Sequence, residues 1–447
     1  MSIQLIPEKI VYGGYALAKY DNEVYLIENA LPGELIEIEV YNKKKSVNFS
    51  KVTKIIEPSK DRVKSVCPHF NKCGGCDLLN YRYEKQIEQK ENILKEQLRR
   101  IGHLNIETEK FEKSFNNLNY RNKMEFTFSK DENNNIVLGL NEKKSHKIIN
   151  IEKCYIAPDY FNTIRNTVKE VVKELDIPIY DPKKRKGVLK HLVIKKSSKT
   201  NKLMIIIVTH TETLPKSREL KHLLLQKLNF DSLIHVMNSS DKVTLRGPYK
   251  TLFGEGILKE NFDEFEYQIP PTSFFQINYD ITEKILQYIL EYIKTKNTSK
   301  DTLLDLYCGV GLFSLFYSPL FKHVTGVEYS KNSIKAAKSN LNINSIKNIN
   351  FIAEDSLQYI NQSIEKQKTF DYIIIDPPRS GLGIKAAEKI SKITKKTLIY
   401  ISCDPSTLSR DLNILSQNGF KVDSIKGFDM FPNTHHIETC VLLSRKN

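Results

Sequence analysis

The chain has 447 residues, 40% of them hydrophobic and 27% charged, too many for one ordinary core, so two to four domains are expected. No apolar run approaches a membrane span, and the start MSIQLIPEKIVYGG lacks the basic and long apolar stretches of a leader, so a cytoplasmic protein with no membrane association is expected. Lys and Arg number 68 against 53 acidic residues; the net charge of +15 suits a polyanion such as nucleic acid, or else reflects a lysine- and asparagine-rich composition that binds nothing. Seven cysteines in a reducing compartment argue against a disulfide framework.

Residues 1–60 carry short alternating stretches, KIVYGGYALAKY, NEVYLIENA, LIEIEVY and FSKVTKII, separated by Gly, Pro, Asn and Lys turns. That spacing predicts a small β-barrel, whose lysines and tyrosines would form an RNA-binding face or a solvated surface. Residues 61–100 hold the cysteine-rich VCPHFNKCGGCDLLNY and then a charged helix from about 83 to 100. From 101 to 265 the strands KMEFTFS, NIVLGLNE, HKIINI, HLVIKKS, LMIIIVTH and SLIHVMN, interrupted by the helical FNTIRNTVKEVVKEL, predict a central α+β domain. Residues 266–447 open with IPPTSFFQINYD and a helix near 280–295. Five apolar strands follow, TLLDLY, HVTGVEY, INFIAED, DYIIIDPP and TLIYISC, each trailed by a helix-like segment. This alternation predicts a parallel, doubly wound α/β sheet of Rossmann-like kind. FKVDSIKGFD and TCVLLSR close the chain as two strands, antiparallel because only a turn-length connection joins them.

In LLDLYCGVGLFSL, Gly309 and Gly311 let the backbone approach a ligand, and Glu328, seventeen residues beyond Gly311, ends the second strand where ribose hydroxyls would be bound. A dinucleotide fingerprint asks for a third glycine, but position 314 is Ser, and no Lys-Ser or Lys-Thr pair completes a phosphate loop. S-adenosylmethionine, which has no phosphates, is favoured over NAD. Asp376 ends the fourth strand in DPPRSGLG, and Arg379, where amino-nitrogen methyltransferases carry an aromatic ring, argues against amino methylation.

DLYCGVG, DPPRSGLG, SCDPSTLSRDL and MFPNTHHIE, in that order, resemble the RNA uracil-5-methyltransferase family, over most of the chain. The resemblance implies a class I methyltransferase domain at the C-terminus, a TRAM (OB-like) barrel at the N-terminus, and, in CPHFNKCGGCDLLNY, the iron–sulfur segment of the ribosomal branch. It also implies that Cys403 adds to C6 of a uracil and that Glu438 removes the C5 proton. Gln276, Tyr307, Glu328 and Asp376 match positions that hold S-adenosylmethionine; Leu312 stands where much of the family has a small polar residue, so no contact is assigned there. The thiol of Cys403 needs no depressed pKa in the free enzyme if the sulfonium charge and the bound pyrimidine favour its attack. Cys308 and Cys440 read as packing residues.

Cys67, Cys73 and Cys76, with five and two residues between them, and the distant Cys154, placed at a strand end, leave zinc and a cubane iron–sulfur centre both open on spacing. The resemblance selects a 4Fe-4S cluster with a structural role. The expected substrate is a uridine of 23S ribosomal RNA, with transfer RNA as the alternative, and the expected state is a monomer. Two rivals are weaker. A radical S-adenosylmethionine enzyme wants CxxxCxxC where this chain has CxxxxxCxxC, and a non-catalytic RNA chaperone would not need Cys403, Asp376 and Glu438 intact.

Overall fold

The computed structural model describes residues 3–240 and 244–446. Within them the first sixty residues form a six-stranded sheet in the order Ile3–Leu5, Leu35–Lys44, Val47–Glu57, Glu23–Glu28, Tyr15–Tyr20, Lys9–Val11. Alternate side chains, among them Ala16, Ala18, Tyr25, Ile27, Ile36 and Ile38, turn into one core. The two end strands do not pair with each other among the described residues, so the expected barrel is not a closed ring. Each of those strands has three residues and only residues 6–8, with Pro7 in the middle, link them, so the sheet curls round and brings its two ends near each other without pairing them.

The central sheet runs Ile148–Ile149, Ile136–Asn141, Lys123–Lys130, Leu189–Lys196, Leu203–Thr209, Ser232–Met237, Tyr249–Phe253. Leu203–Thr209 is buried throughout because its two faces enter different cores. Leu203, Ile205 and Ile207 pack under the helix Asp159–Glu174, whereas Met204, Ile206 and Val208 meet the hairpin Leu258–Phe262/Phe265–Ile269. That hairpin and the helix Ser217–Lys227 were not expected from sequence. HKIINI yields only the strand Ile148–Ile149, so Cys154 lies in the loop before the helix Asp159–Glu174 and not at a strand end.

The third large sheet is ordered Ile349–Ala353, His323–Glu328, Thr302–Leu306, Phe370–Ile375, Thr394–Ser402, Glu438–Arg445, Phe420–Phe428, Glu109–Glu112. Its first five strands are parallel, as predicted, and Glu438–Arg445 runs antiparallel to both neighbours. Strand order reverses beside Thr302–Leu306, the place where such sheets open a crevice for ligands. Alternation divides the strands between two apolar layers: Leu303, Tyr372, Ile374, Ile399 and Ile401 on one face, Leu304, Leu306, Ile373, Ile375, Leu398 and Tyr400 on the other. Glu109–Glu112 reads as a charged stretch, yet it joins this sheet because the Phe111 ring covers Gly427, where a Cβ would lie 2.3 Å from it. The connection 429–437, expected to be a turn, is a loop with structure of its own.

The helix Tyr83–Arg100 ties these parts together. Its buried residues Gln86, Ile87, Lys90, Ile93, Leu94 and Leu98 follow helical spacing. Ile87 and Ile93 join the N-terminal core, and Leu94 and Leu98 the C-terminal one. Lys90, fully buried, pairs with Asp429 at 2.6 Å, fixing the helix against the start of the 429–437 loop.

Candidate active site

Strand ends assemble a polar rim. Tyr307 follows Thr302–Leu306 in a left-handed conformation (φ 65°), with its ring packed against the core. Gly309 and Gly311 continue the turn at φ 56° and 92°; a Cβ on Gly311 would strike Leu315 and Phe351, whereas one on Gly309 would meet open space, so only its φ asks for glycine. Glu328 accepts from the Ser330 amide at 2.8 Å and the Gly309 amide at 3.3 Å, which draws its carboxylate to the glycine turn. Beside it opens a cavity of about 650 Å³ lined by Gly247, Thr272, Tyr329, Ser330 and Asp355. Gln276 reaches Asp376 from a separate loop, Nε2 to Oδ2 at 3.3 Å, while Asn122 holds the Gln276 carbonyl at 2.9 Å.

Ser402 pairs with Thr439 as the last step of the antiparallel ladder, and Cys403 and Glu438, the residues just beyond that pair, are close enough to interact electrostatically. Glu438 also pairs with Phe428 and is 4% exposed. Burial pushes the Glu438 carboxyl well above its usual range, the Asp376 charge adds to this, and Arg379 opposes it. Burial alone carries Asp376 to about 7. The Cys403 thiol is pushed up to about 12, first by burial, then by Glu438 and Asp376, with Arg379 pulling the other way and Asp404 adding to the rise. The rim therefore gathers acids around a half-buried thiol and stands short of positive charge.

The profile of the tRNA (uracil-5-)-methyltransferase family matches residues 82–446. The chain belongs to this family. It is an S-adenosylmethionine-dependent enzyme of the RNA (uracil-5-)-methyltransferase class. An RNA methyltransferase of Thermotoga maritima is 43% identical over 98% of this chain and 97% of its own length, and one of Clostridium acetobutylicum is 36% identical over 97% and 94%. The solved tRNA (uracil-54, C5)-methyltransferase of Pyrococcus abyssi, in complex with S-adenosyl-L-homocysteine, superposes with a TM-score of 0.77 at 25% identity, over 98% of this chain and 99% of that one.

The rim of the methyltransferase holds groups that motif reading passed over. Asp305, buried in the middle of an apolar strand, has its carboxyl raised to about 7 by burial, with Ser314 opposing and Asp376 and Glu328 adding. A lone carboxylate inside LLDLY was the available signal. Arg379, weighed only against amino methylation, is the cation that acts on Cys403 and Glu438, and its Nη2 lies 3.3 Å from His436 Nε2. Tyr12 of the N-terminal sheet donates to Asp404 at 2.9 Å; no sequence signal could link residues so far apart. Cys308 and Cys440 are buried in the apolar core.

Cys67, Cys73, Cys76 and Cys154 line one small pocket, about 20 Å³, walled by Phe70, Leu79, Leu140, Ile151 and Ile156. Among the described residues no group of three or more His, Cys, Asp or Glu is set at metal-holding geometry, so the expected 4Fe-4S ligands share a pocket without forming a ready site. The donor chemistry nevertheless fits a thiolate-bound metal. All four thiols are free, and Gly75 donates its amide to Cys73 Sγ at 3.4 Å. Burial raises all four, Cys73 to about 11. Arg121 and Arg165 act electrostatically on Cys154, and Arg121 Nε and Arg165 Nε and Nη1 are buried without a hydrogen-bond partner. Buried cations in want of an anion suit a centre with negative charge.

Proposed function

We propose that this enzyme methylates C5 of a uridine in 23S ribosomal RNA through a transient bond between Cys403 Sγ and uracil C6. The observation that carries the reading is that the Cys403 thiol comes within electrostatic reach of the Glu438 carboxyl just past the end of the ladder that pairs Ser402 with Thr439, with Asp376 acting on both. Gln276, Tyr307, Glu328 and Asp376 would hold S-adenosylmethionine, Glu328 by accepting from ribose hydroxyls, and open space beside Gly309 leaves room for it at the turn. When bound, S-adenosylmethionine supplies the methyl carbon and a positive charge that the acid-rich rim lacks. The Cys403 thiol gives up its proton to solvent as Sγ adds to C6, which makes C5 nucleophilic; once C5 has taken the methyl group, Glu438 takes the C5 proton, and Sγ leaves as thiolate while the C5–C6 double bond returns. Burial favours the protonated form of Glu438, so it must ionise before it can take that proton, and positive charge beside it favours the ionised form.

The target uridine must leave its stack to reach a half-buried thiol, so a loop or bulge is the expected substrate. Residues 1–60 would serve as a TRAM-like RNA-binding unit, 61–100 as the cysteine-rich linker, 101–265 as the central domain, apart from the strand Glu109–Glu112 that joins the methyltransferase sheet, and 266–447 as the methyltransferase domain, a boundary that falls inside the strand Phe265–Ile269. The 4Fe-4S cluster is proposed on Cys67, Cys73, Cys76 and Cys154, pinning the linker to the central domain. The cysteine segment favours ribosomal RNA; the likeness to a tRNA enzyme over nearly the whole chain supports transfer RNA as a second reading. Enzyme incubated with 5-fluorouridine-containing RNA and cofactor should give a cross-linked band on a denaturing gel, and its absence would overturn the mechanism. Mapping 5-methyluridine in ribosomal and transfer RNA of a deletion strain decides the substrate.

A further inference from the structure

We propose that Asp77 is a positioning residue that couples the cysteine segment to the catalytic loop 429–438. Asp77 directly follows Cys76. Its amide and that of Leu78 both donate to the Asn433 carbonyl, at 3.0 Å each. Its carboxylate accepts from the His435 amide at 3.2 Å and meets His435 Nδ1 at 2.6 Å. Gln86 closes the loop from the other side: its Nε2 donates to Asn433 Oδ1 at 3.0 Å and its Oε1 accepts from the Asn433 amide at 3.1 Å. Asn433 itself sits at φ 64°, a conformation that these four contacts hold in place. Gly14 lets the chain pass close behind Asp77, since a Cβ there would come within 2.8 Å of the Asp77 Cβ.

From this clasp the chain runs straight into the rim. His435 packs its ring on His436 at 4.2 Å, His436 meets Arg379, and Glu438 begins the strand two residues later. Tyr12 touches His435 edge-on at 5.6 Å and donates to Asp404, the residue after Cys403. A displacement of Cys76 is therefore carried by the Asp77 backbone to Asn433 and by its side chain to His435, and reaches both Glu438 and Cys403 within a few bonded or hydrogen-bonded steps. The consequence for catalysis rests on the reading of Cys403 and Glu438 as the reacting pair; the mechanical coupling does not.

The test uses the full-length protein and four variants: Asp77→Ala, Asp77→Asn, Cys76→Ser and the double variant Cys76→Ser/Asp77→Ala. Asp77→Ala is expected to speed amide hydrogen exchange over 429–438 at least tenfold and to slow cross-linking to 5-fluorouridine RNA at least tenfold. S-adenosylmethionine affinity should stay within twofold, because its side of the rim is held by other contacts. Asp77→Asn, whose amide oxygen still accepts from His435, should recover most of both losses, which separates positioning from a folding defect. Cys76→Ser should loosen the same loop, and the double variant Cys76→Ser/Asp77→Ala should be no worse than the poorer single one. Loop exchange within twofold of wild type in Asp77→Ala, or effects that multiply in the double variant, would overturn the proposal. If wild type forms no cross-link at all, the adduct mechanism fails, and the exchange measurements still decide the coupling.

Discussion

The molecule buries two groups of thiols and treats them in opposite ways. At the rim, Cys403 is surrounded by Glu438, Asp376 and Asp404, and Arg379 is the cation set against them. In the cysteine pocket the thiols lie beside Arg121 and Arg165, and the carboxylate acting there is Asp77, on Cys76. Burial raises the thiols in both places, so the charge of the neighbours separates their chemistry. Acids keep a thiol protonated until a cation arrives, which suits a nucleophile that works only beside a sulfonium. Guanidinium groups with buried N–H left over, Nε of Arg121 and Nε and Nη1 of Arg165, suit a permanent anionic centre.

The sharpest break in this comparison would come from the reacting pair. Cys403→Ala should lower methyl transfer by about 10³-fold or more and abolish the cross-link, and Glu438→Gln should accumulate the RNA adduct while turnover falls about 10²-fold or more, both read from labelled methyl transfer and denaturing gels. On the other side, replacing Arg121 and Arg165 by Met should weaken metal retention by roughly 10- to 100-fold, measured as iron bound and absorbance near 400 nm (roughly) after anaerobic purification. Unchanged iron content would show that their charge does not serve the pocket.

A pH series sharpens the contrast further. With its pKa raised to about 12, Cys403 in ligand-free enzyme should be alkylated slowly at pH 7, the rate rising about tenfold per pH unit up to pH 9. A plateau below pH 8 would contradict the acid-surrounded thiol. The smallest effect concerns stability. Asp305 has a folded pKa near 7, above its unfolded value, so the folded state holds the extra proton and stability falls as pH rises from about 4 to 7. Asp305→Asn removes that loss, and its melting temperature should exceed wild type at pH 8 but match it near pH 4.

Much of the catalytic sheet was legible because its strands are long apolar runs broken by glycine turns and helices, signals that act within ten or fifteen residues. His323–Glu328 ends at the residue expected, and Thr302–Leu306 and Phe370–Ile375 each end one residue before the expected Tyr307 and Asp376. The strand Glu109–Glu112 was not legible, since its pairing depends on Phe111 finding Gly427 more than three hundred residues away. HKIINI misled for the converse reason: an apolar hexamer looks like a strand whether or not a partner edge is available along its length, and here only Ile148–Ile149 found one.

By itself the sequence determined which residue types stand at the strand ends, that the turn at Gly309 and Gly311 suits a cofactor without phosphates, and that four cysteines could act together. Tertiary structure decided that the N-terminal sheet stays unsealed among the described residues, that the Glu438 charge acts on Cys403 beside the pair Ser402–Thr439, and that arginines flank the four clustered thiols and acids the lone one. The reason is range. Periodicity and turn chemistry are carried by neighbours along the chain, whereas burial and the charges that set a thiol's reactivity come from residues that meet only when the chain has folded.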